Sequence, residues 1–405
     1  MEFSSNKIKK IVLTGGPCGG KTTALATVAQ ELKGIGYNVI IVPEAATQLL
    51  VGGVSPETAN GLYNFQNAIS KLQISNEKIY ENIAECFPDK TVLLLDRGAT
   101  DGKAFCVGDM WDKILKENNW DDTEIRDNYD IVLHLTTTAK GAEEYYGNAT
   151  NEVRRENIEQ ARIADDKCIA AYSGHPNFKI IGNHGNFEDK MVELMTEIKA
   201  FLGEKNYTQK EDKFVAAINL DKLKNNDMCH KTNIIYVYLN NKDNDNLARV
   251  EQHNDNGHLS YYLTQKHNDS ETKRKISYQD FNDFISTADS TITLTKDRYY
   301  LPFKDNYFKI DVFPEYADDI AIISTISARE KKFIDMPNFI ECVNPALYDN
   351  NYDDLNNINI AKTNGKLFIK AKEVYDSILH DNEVSIEDYE ELMNNLDNDD
   401  EEWER

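Results

Sequence analysis

The stretch "IVLTGGPCGGKTT" at residues 11–23 decides how the chain begins to fold. Its first four residues are apolar or β-branched and predict a buried strand, which leads into a glycine-rich turn. The spacing Gly15-x-x-x-x-Gly20-Lys21-Thr22 satisfies the phosphate-loop pattern, and it lies between a predicted strand and a predicted helix, as that pattern requires. We therefore predict that a nucleoside triphosphate binds here.

Each part of this loop has its own expected role. Backbone N–H groups converge on the β-phosphate, Lys21 offsets charge on the β and γ oxygens, and the Thr22 hydroxyl is a Mg²⁺ ligand. An Asn-Lys-x-Asp motif is missing, which argues against a Ras-like GTPase but leaves the base open. The predicted cofactors are Mg²⁺ with ATP or GTP, and the predicted nucleotide-binding residues are Gly15, Gly16, Pro17, Cys18, Gly19, Gly20, Lys21, Thr22 and Thr23.

Composition limits the remaining possibilities. A chain of 405 residues is long enough for two or three domains. A net charge of −24 argues against nucleic acid as a partner. The six cysteines have neither metal-site nor disulfide-framework spacing, and no apolar run is long enough to span a membrane. We expect a cytoplasmic protein, with peripheral membrane association as the alternative; the oligomeric state stays open.

The first region, residues 1–203, alternates short apolar runs with amphipathic segments. Continuous β-branched runs are typical of parallel strands that are covered on both faces. The alternation predicts a three-layer α/β domain with a parallel sheet and a ligand at the carboxyl ends of its strands. The predicted strands are 11–14, 39–43, 91–95, 131–135 and 178–181, and the predicted helices are 21–34, 58–86, 101–117, 154–172 and 186–202.

The sequence changes character after this region. A polar linker is followed by tyrosine-rich and β-branched segments separated by Asn/Asp turns, which predict a mostly antiparallel barrel or curved sheet over 211–345, with one helix near 277–287. The last region, 346–405, has a predicted helix near 367–380. Its end, 381–405, carries twelve Asp or Glu side chains and one Arg, and we expect it to be solvated.

Two carboxylates follow predicted strands of the first domain. Asp96 could hold the metal through water or accept a proton from an acceptor hydroxyl, and Arg97 beside it could pair with phosphate. The alternative is an Asp-Arg turn that only closes a strand. Glu44 is a candidate general base, or else a helix N-terminal acid favoured by the helix dipole.

A basic run, "EVRRENIEQAR", precedes the last predicted strand of the domain, where small-molecule kinases carry a lid. Arg154 and Arg162 could clamp the oxygens of a transferring phosphoryl group. The alternative is an exposed helix on which these arginines lie among several glutamates. Gln66 and Gln73 are candidate acceptor-pocket groups, although the apolar residues beside them favour core packing. The candidate catalytic residues are Glu44, Asp96, Arg97, Arg154 and Arg162, and the candidate metal ligands are Thr22 and Asp96.

Several blocks together resemble a known family. They are "VLTGGPCGGKTT", "VPEAATQLLVGG", "NFQNAISKLQ", "LLDRGATDGKAF", "YDIVLHLTTTAKGAEEYY", "EQARIADD" and "GHPNFKIIGN". Over residues 8–202 the chain is similar to the AAA-type P-loop domain shared by bacterial nicotinamide-riboside kinase and the TRPL translocation defect proteins, and more similar to the latter. The resemblance implies a following CYTH-like domain, nucleotide binding with GTP as a proposed ligand, and a phosphoinositide-binding, trafficking-type role.

The CYTH-like domain that this resemblance implies is a triphosphate tunnel, a barrel whose inner face carries Lys and Arg. Residues two apart on a strand point to the same face, and several cations of the second region have that spacing. The Glu-x-Glu-x-Lys metal motif of catalytic CYTH enzymes is missing, so triphosphatase activity is not predicted. Ordinary solvent-facing strand charges are the alternative. The predicted tunnel residues are Arg249, Lys273, Lys275, Lys296, Arg298 and Lys309.

Two classes of function remain. One is a nucleotide-binding protein with a kinase-like site, coupled to a domain that binds a phosphoinositide or polyphosphate. The other is a small-molecule kinase that transfers the γ-phosphoryl group to a nucleoside-like hydroxyl. Both need the same phosphate loop, and whether turnover occurs separates them.

Overall fold

The structure is a computed structural model that describes residues 8–146, 157–240, 248–267, 270–329, 334–342, 357–366, 368 and 371–372. Arg154, the acidic end at 381–405 and most of the helix predicted at 367–380 lie outside these residues.

A five-stranded parallel sheet organises the first domain, as predicted. Its order is β2-β3-β1-β4-β5, with β1 at the centre. The inner strands are continuous runs of buried apolar residues, which explains why the sequence pattern located them. The strands are β1 (Ile8–Thr14), β2 (Asn38–Val42), β3 (Thr91–Asp96), β4 (Ile131–Leu135) and β5 (Phe178–Ile181).

Helices cover both faces of this sheet. The core on one face packs against α1 and α8, and the core on the other packs against α7 and the end of α3. The helix predicted over 101–117 is interrupted, because Gly108 adopts a left-handed φ of +57° between two shorter helices. The helices are α1 (Lys21–Gly34), α2 (Ala45–Val51), α3 (Leu62–Ala84), α4 (Asp101–Phe105), α5 (Met110–Asn118), α6 (Asp122–Arg126), α7 (Ile158–Tyr172) and α8 (Phe187–Phe201), with a 3₁₀ turn at Glu143–Tyr145.

The second domain is an antiparallel sheet with the order β10-β9-β8-β7-β11-β12-β13-β6-β14. The antiparallel arrangement was predicted, but the barrel was not found: within the described residues β10 and β14 are free edges, and the sheet stays open. Its strands are β6 (Lys210–Ile218), β7 (His230–Asn240), β8 (Ala248–Asp255), β9 (His258–His267), β10 (Ser270–Ile276), β11 (Ser290–Phe303), β12 (Asn306–Phe313), β13 (Ala317–Ser327) and β14 (Ile340–Cys342).

Three helices pack on this sheet. They are α9 (Leu220–Lys224), α10 (Tyr278–Thr287) and α11 (Asn357–Lys362). The helix predicted near 277–287 is α10, and a capping box formed by Ser277 and Asp280 fixes where it begins. Ile360 of α11 and Phe368 after it complete the apolar core on one face of the sheet, beside Tyr236 and Phe313.

A buried ion cluster joins the two domains. Arg126 at the end of α6 lies 2.7 Å from Asp255 on β8, 2.7 Å from Asp127 and 3.1 Å from the His230 ring. Close by, the Tyr307 hydroxyl donates to the His175 carbonyl oxygen and accepts from the Gly174 N–H. The contact between the two sheets therefore combines buried ion pairs and hydrogen bonds with packing of Tyr307 against Phe178.

Among the residues that the structure describes, no helix combines the length and the apolar character needed to cross a bilayer.

The ion cluster predicts a large effect of Arg126→Met on stability. The substitution leaves the buried Asp255 carboxylate without its guanidinium partner, and loss of one member of a buried pair costs about 3 kcal/mol. Urea unfolding followed by circular dichroism should show this loss. Lys113→Met is the control, because Lys113 pairs with Asp109 in solvent and should leave unfolding unchanged. Equal unfolding curves for both variants would contradict the account.

Candidate functional site

The phosphate loop lies between the end of β1 and the start of α1. Gly20 precedes the helix with a left-handed φ of +85°. A Cβ on Gly15, whose φ is +145°, would stand 2.3 Å from the carbonyl oxygen of Leu135 at the end of β4. The loop therefore passes so close to the end of β4 that a side chain at residue 15 does not fit, which accounts for the glycine at this position.

Lys21 is folded back onto the loop. Its ammonium donates to the carbonyl oxygens of Gly15 and Gly16 at 2.7 and 3.0 Å. Burial, together with the nearby charge of Arg97, lowers the pKa of Lys21 to about 8. An incoming phosphate would replace these two carbonyl oxygens and add the negative charge that the buried ammonium lacks.

Arg97 holds the ends of β2 and β3 against the loop. Its guanidinium lies 2.8 Å from Glu44 and 2.7 Å from Asp101, and it donates to the Gly15 carbonyl oxygen at 3.1 Å. The residue has a left-handed φ of +65°, an uncommon conformation for a side chain of this size. In this structure the Arg97 charge is therefore paired with carboxylates rather than directed freely at phosphate.

Asp101, which the sequence did not single out, is the second anchor of this arrangement. Its carboxylate accepts hydrogen bonds from the Thr14 hydroxyl, the Gly98 N–H and the Tyr172 hydroxyl in addition to Arg97. It begins α4 and is almost completely buried. The end of β1, the turn after β3 and helix α7 are thus fastened to one carboxylate.

Asp165 on α7 fixes the other side of the loop. One of its oxygens accepts from the Gly16 N–H, the Thr137 N–H and the His134 ring, each at 3.0 Å, and the other accepts from Lys140 at 2.9 Å. The charges of His134 and Lys140 hold the pKa of this carboxyl well below its ordinary value, although burial alone would raise it. Sequence reasoning did not find Asp165, because its partners are distant along the chain.

Asp96 ends β3 beside the central strand, where it is paired in register with Leu13. Burial, together with the negative charge of Glu44, raises the pKa of Asp96 to about 6. Thr22 is exposed in the first turn of α1, and within the described residues neither the Thr22 hydroxyl nor the Asp96 carboxylate has a hydrogen-bond partner. Both line one cavity.

This pair fits a magnesium ion by its chemistry. A hydroxyl and a carboxylate are hard oxygen donors of the kind that Mg²⁺ prefers, and both side chains line the same cavity. In the described part of the chain, no group of three or more His, Cys, Asp or Glu side chains is arranged to hold a metal. An ion held by Thr22 and Asp96 would therefore depend on phosphate and water for its remaining ligands, as Mg²⁺ commonly does.

The cavity beside the loop has a volume of about 920 Å³. It brings together the loop from Pro17 to Thr23 with Glu44, Asp96 and Arg97, which the sequence placed at the ends of three different strands. Its far wall is formed by α3 and α4, with Gln66, Gln73 and Phe105 among the lining residues.

Gln73 and Glu77 link this wall to the protein interior. The Gln73 amide accepts from the Ala45 N–H at 3.1 Å and donates to the Arg97 carbonyl oxygen and to Glu77. Glu77 also accepts from the Ala99 N–H and lies near the Tyr129 hydroxyl, and burial raises its pKa to about 7. Gln73 is thus a structural residue at the edge of the cavity.

Of the two predicted lid arginines the structure describes Arg162, which is not assembled with the rest of the site. Arg162 donates to the Ala139 carbonyl oxygen at 2.7 Å and to Glu143 at 2.9 Å, and it is not among the residues that line the cavity. Arg154 lies outside the described residues. Tyr145, which is largely exposed, lines the cavity from this side instead.

The predicted tunnel residues lie on one face of the second sheet, as their strand register shows. Most of them are paired with two buried acids. Glu251 lies 2.9 Å from Arg249 and 2.6 Å from Lys273, and Asp311 lies 2.7 Å from Lys296 and 2.6 Å from Arg298.

Lys309 and Lys275 differ from the other four cations. Neither ammonium has a hydrogen-bond or ion-pair partner among the described residues. Burial, together with the positive charge of Arg298, lowers the pKa of Lys309 to about 7. Lys275 is exposed on the edge strand β10.

Comparison with known protein families supports the interpretation of the first region as a P-loop domain. Residues 10–190 match the family model described as an AAA domain. No curated protein is similar enough to this chain to count as a match. The chain therefore contains an AAA-type P-loop domain, a class that binds nucleotides, and the match does not extend to the second sheet.

Lys21 predicts how nucleotide affinity depends on pH. Its pKa in the free protein is about 8, and the charged form binds phosphate, so affinity is nearly complete at pH 7 and falls as the pH rises through 8. Titration calorimetry with a Mg²⁺-bound non-hydrolysable ATP or GTP analogue should show about thirtyfold weaker binding at pH 9.5 than at pH 7, because the charged fraction of Lys21 falls from about 0.9 to about 0.03. Circular dichroism at both values checks that the fold is intact. Constant affinity over this range would show that Lys21 does not carry the binding.

Proposed function

We propose that this chain is a Mg²⁺-dependent ATP- or GTP-binding P-loop protein with a kinase-like site, coupled to a CYTH-like domain that binds a phosphorylated anionic ligand such as a phosphoinositide or polyphosphate. The observation that carries the proposal is the position of Lys21. It lies at a glycine-rich turn between a buried strand and a helix, beside a cavity of about 920 Å³ lined by Glu44 and Asp96.

Nucleotide binding follows from the groups that the loop presents. Backbone N–H groups at the start of α1, the helix dipole and one ammonium favour a polyphosphate. Thr22 and Asp96 would hold the magnesium ion, which supplies positive charge to the phosphate oxygens when it is bound. Arg97 and Asp165 keep the loop in place, since they bond to Gly15 and Gly16.

The second part of the proposal rests on charge. On the face that carries Arg249, Lys296 and Lys309, the six predicted Lys or Arg side chains lie around the two acids Glu251 and Asp311, and Glu211, Lys213 and Asp255 lie on the same face. A local excess of cations on a protein of net charge −24 attracts polyanions to that face. Because four of the cations are paired, a ligand would first meet Lys309 and Lys275.

The junction between the domains supports coupling of the two sites. Arg126 follows α5 in the nucleotide-binding domain and bonds to Asp255 at the end of β8, the strand that also carries Arg249 and Glu251. A displacement of α6 in one sheet region changes the distances from Arg126 to Asp255, and β8 must then move with α6 or lose these buried bonds. The cluster therefore gives a physical route for coupling.

A small-molecule kinase is the second candidate, and the carboxylates of the cavity favour it. In this reaction an acceptor hydroxyl gives its proton to Glu44 or Asp96, its oxygen bonds to the γ-phosphorus, and the bond from that phosphorus to the β-phosphate oxygen breaks to release the nucleoside diphosphate. Lys21 would stabilise the charge on the leaving phosphate.

Lys21→Ala tests nucleotide binding. Removal of the ammonium should weaken the binding of a non-hydrolysable ATP or GTP analogue at least tenfold, as measured by titration calorimetry. Lys33→Ala is the matched control, because Lys33 is exposed in the last turn of the same helix and should bind as the wild type does. Unchanged affinity in the Lys21 variant would refute the proposal.

The two candidate functions separate on transfer of label. A kinase moves the phosphate of γ-labelled ATP or GTP to a nucleoside, whereas a binding protein holds the nucleotide without acceptor-dependent turnover.

Lys309→Gln and Lys275→Gln test the anion site of the second domain. Each should weaken the binding of inorganic polyphosphate, and the weakening should shrink as salt rises, because the contacts are electrostatic. Arg274→Gln is the control: it neighbours Lys275 on β10 but faces the other side of the sheet. Equal affinity of all three variants and the wild type would leave the cationic face without a role.

A further inference from the structure

Three consecutive threonines follow β4, and only one of their hydroxyls has a partner. The Thr137 hydroxyl donates to the Pro17 carbonyl oxygen of the phosphate loop. The hydroxyls of Thr136 and Thr138 are buried and have no hydrogen-bond partner within the described residues. A buried hydroxyl without a partner is unfavourable for folding, so each such group in a native protein calls for an explanation.

Thr138 differs from Thr136 in its position. It lines the cavity beside the phosphate loop, whereas Thr136 does not. Of the described residues that line this cavity, Thr138 alone has a buried polar side-chain atom without a partner. The unsatisfied hydroxyl therefore belongs to a wall of the proposed nucleotide site.

The backbone beside Thr138 is fixed, so that its side chain can turn while the main chain stays in place. Asp165 accepts from the Thr137 N–H at 3.0 Å, and Asn183 donates to the Thr137 carbonyl oxygen at 2.8 Å. Threonine occupies more than one χ1 rotamer, and rotation about χ1 moves the hydroxyl to a position that the methyl group held. A ligand in the cavity can therefore bind the hydroxyl at the cost of one side-chain rotation.

The cavity offers few cations to a phosphate chain. Lys21 and Arg97 are the only cationic side chains among the described residues that line it. The Arg97 charge is already paired with two carboxylates. Phosphate oxygens accept hydrogen bonds, and a hydroxyl donates one without adding charge to the site. The Thr138 hydroxyl is therefore suited to a phosphate oxygen that Lys21 does not reach.

We infer that the Thr138 hydroxyl donates a hydrogen bond to the phosphate chain of the bound nucleotide. The bond from Thr137 to Pro17 holds this segment against the phosphate loop, so Thr138 lies next to the backbone that receives the phosphates. This inference rests on the proposed function and deepens it, because it names a binding residue that follows β4 and is not part of the phosphate loop.

Thr138→Val tests the inference, because valine keeps the branched shape of threonine and removes the hydroxyl. Titration calorimetry of the full chain with a Mg²⁺-bound non-hydrolysable ATP or GTP analogue should show binding about tenfold weaker than in the wild type, the effect of losing a hydrogen bond to a charged group. Thr138→Ser keeps the hydroxyl and should bind as the wild type does. Thr136→Val is the matched control, because it removes a buried, unpartnered hydroxyl that does not line the cavity and should leave the affinity unchanged.

Inorganic triphosphate separates the phosphate chain from the nucleoside. Its binding is measured by displacement of a fluorescent ATP or GTP analogue, so that only binding that competes with nucleotide is counted. Because inorganic triphosphate has neither base nor sugar, Thr138→Val should weaken it by the same factor as the nucleotide analogue. A loss that appears with the nucleotide analogue alone would place the contact on the nucleoside and overturn the inference.

The stability of the free protein distinguishes a binding role from a structural one. Because the Thr138 hydroxyl has no partner within the described residues, Thr138→Val should unfold at the same urea concentration as the wild type or at a higher one. Unfolding at a clearly lower concentration would show that the hydroxyl is bonded in the free protein, which contradicts the inference.

Failure of the inference and failure of the proposed function give different results. If the wild type binds the analogue and Thr138→Val binds it equally well, the inference alone is overturned. If the wild type does not bind the analogue, the proposed function fails and the inference fails with it.

Discussion

The carbonyl oxygen of Gly15 is the point on which the site depends. It accepts hydrogen bonds from both Lys21 and Arg97, the two cations nearest the loop. Arg97 in turn bonds to Glu44 and Asp101, so that the ends of β1, β2 and β3 meet through one guanidinium. Because Arg97 is held by carboxylates, Lys21 is the group that can leave the carbonyl oxygen for a phosphate.

This arrangement divides the cavity into two parts. The loop and Lys21 provide positive potential for a phosphate chain, while Glu44, Asp96 and the α3 wall form a compartment that is negative and partly apolar. The carboxylates of this compartment are the reason that a small-molecule kinase is the second candidate function.

In the second sheet most of the predicted cations are paired with carboxylates of the same face. Its cations are numerous, but Glu251 and Asp311 lie among them and bond to four. Such pairing keeps a cationic face compatible with folding, since unpaired buried charges are costly. A polyanion on this face would compete with two carboxylates, so we expect binding that depends strongly on salt.

The sequence predicted what is local. The strands of the first sheet and the phosphate loop follow from runs of adjacent residues, and the helix predicted near 277–287 is α10. The contacts of Asp101 and Asp165 were not predicted, because they join the loop to residues far along the chain and no spacing marks them. Arg97 was identified as a site residue, but its conformation and its two carboxylate partners emerge only in the folded chain.

The sequence did not decide between a barrel and a curved sheet for the second region, because closure depends on whether the edge strands β10 and β14 meet, and alternation within a strand does not determine that. The most direct test of the central claim is a crystal structure of the full chain with Mg²⁺ and a non-hydrolysable ATP or GTP analogue. We predict that the Lys21 ammonium leaves the Gly15 and Gly16 carbonyl oxygens and contacts the β- and γ-phosphates, with Thr22 on the metal ion and Arg97 still bonded to Glu44 and Asp101. A structure in which the loop stays closed on Lys21 in saturating analogue, or the analogue lies elsewhere, would contradict the account.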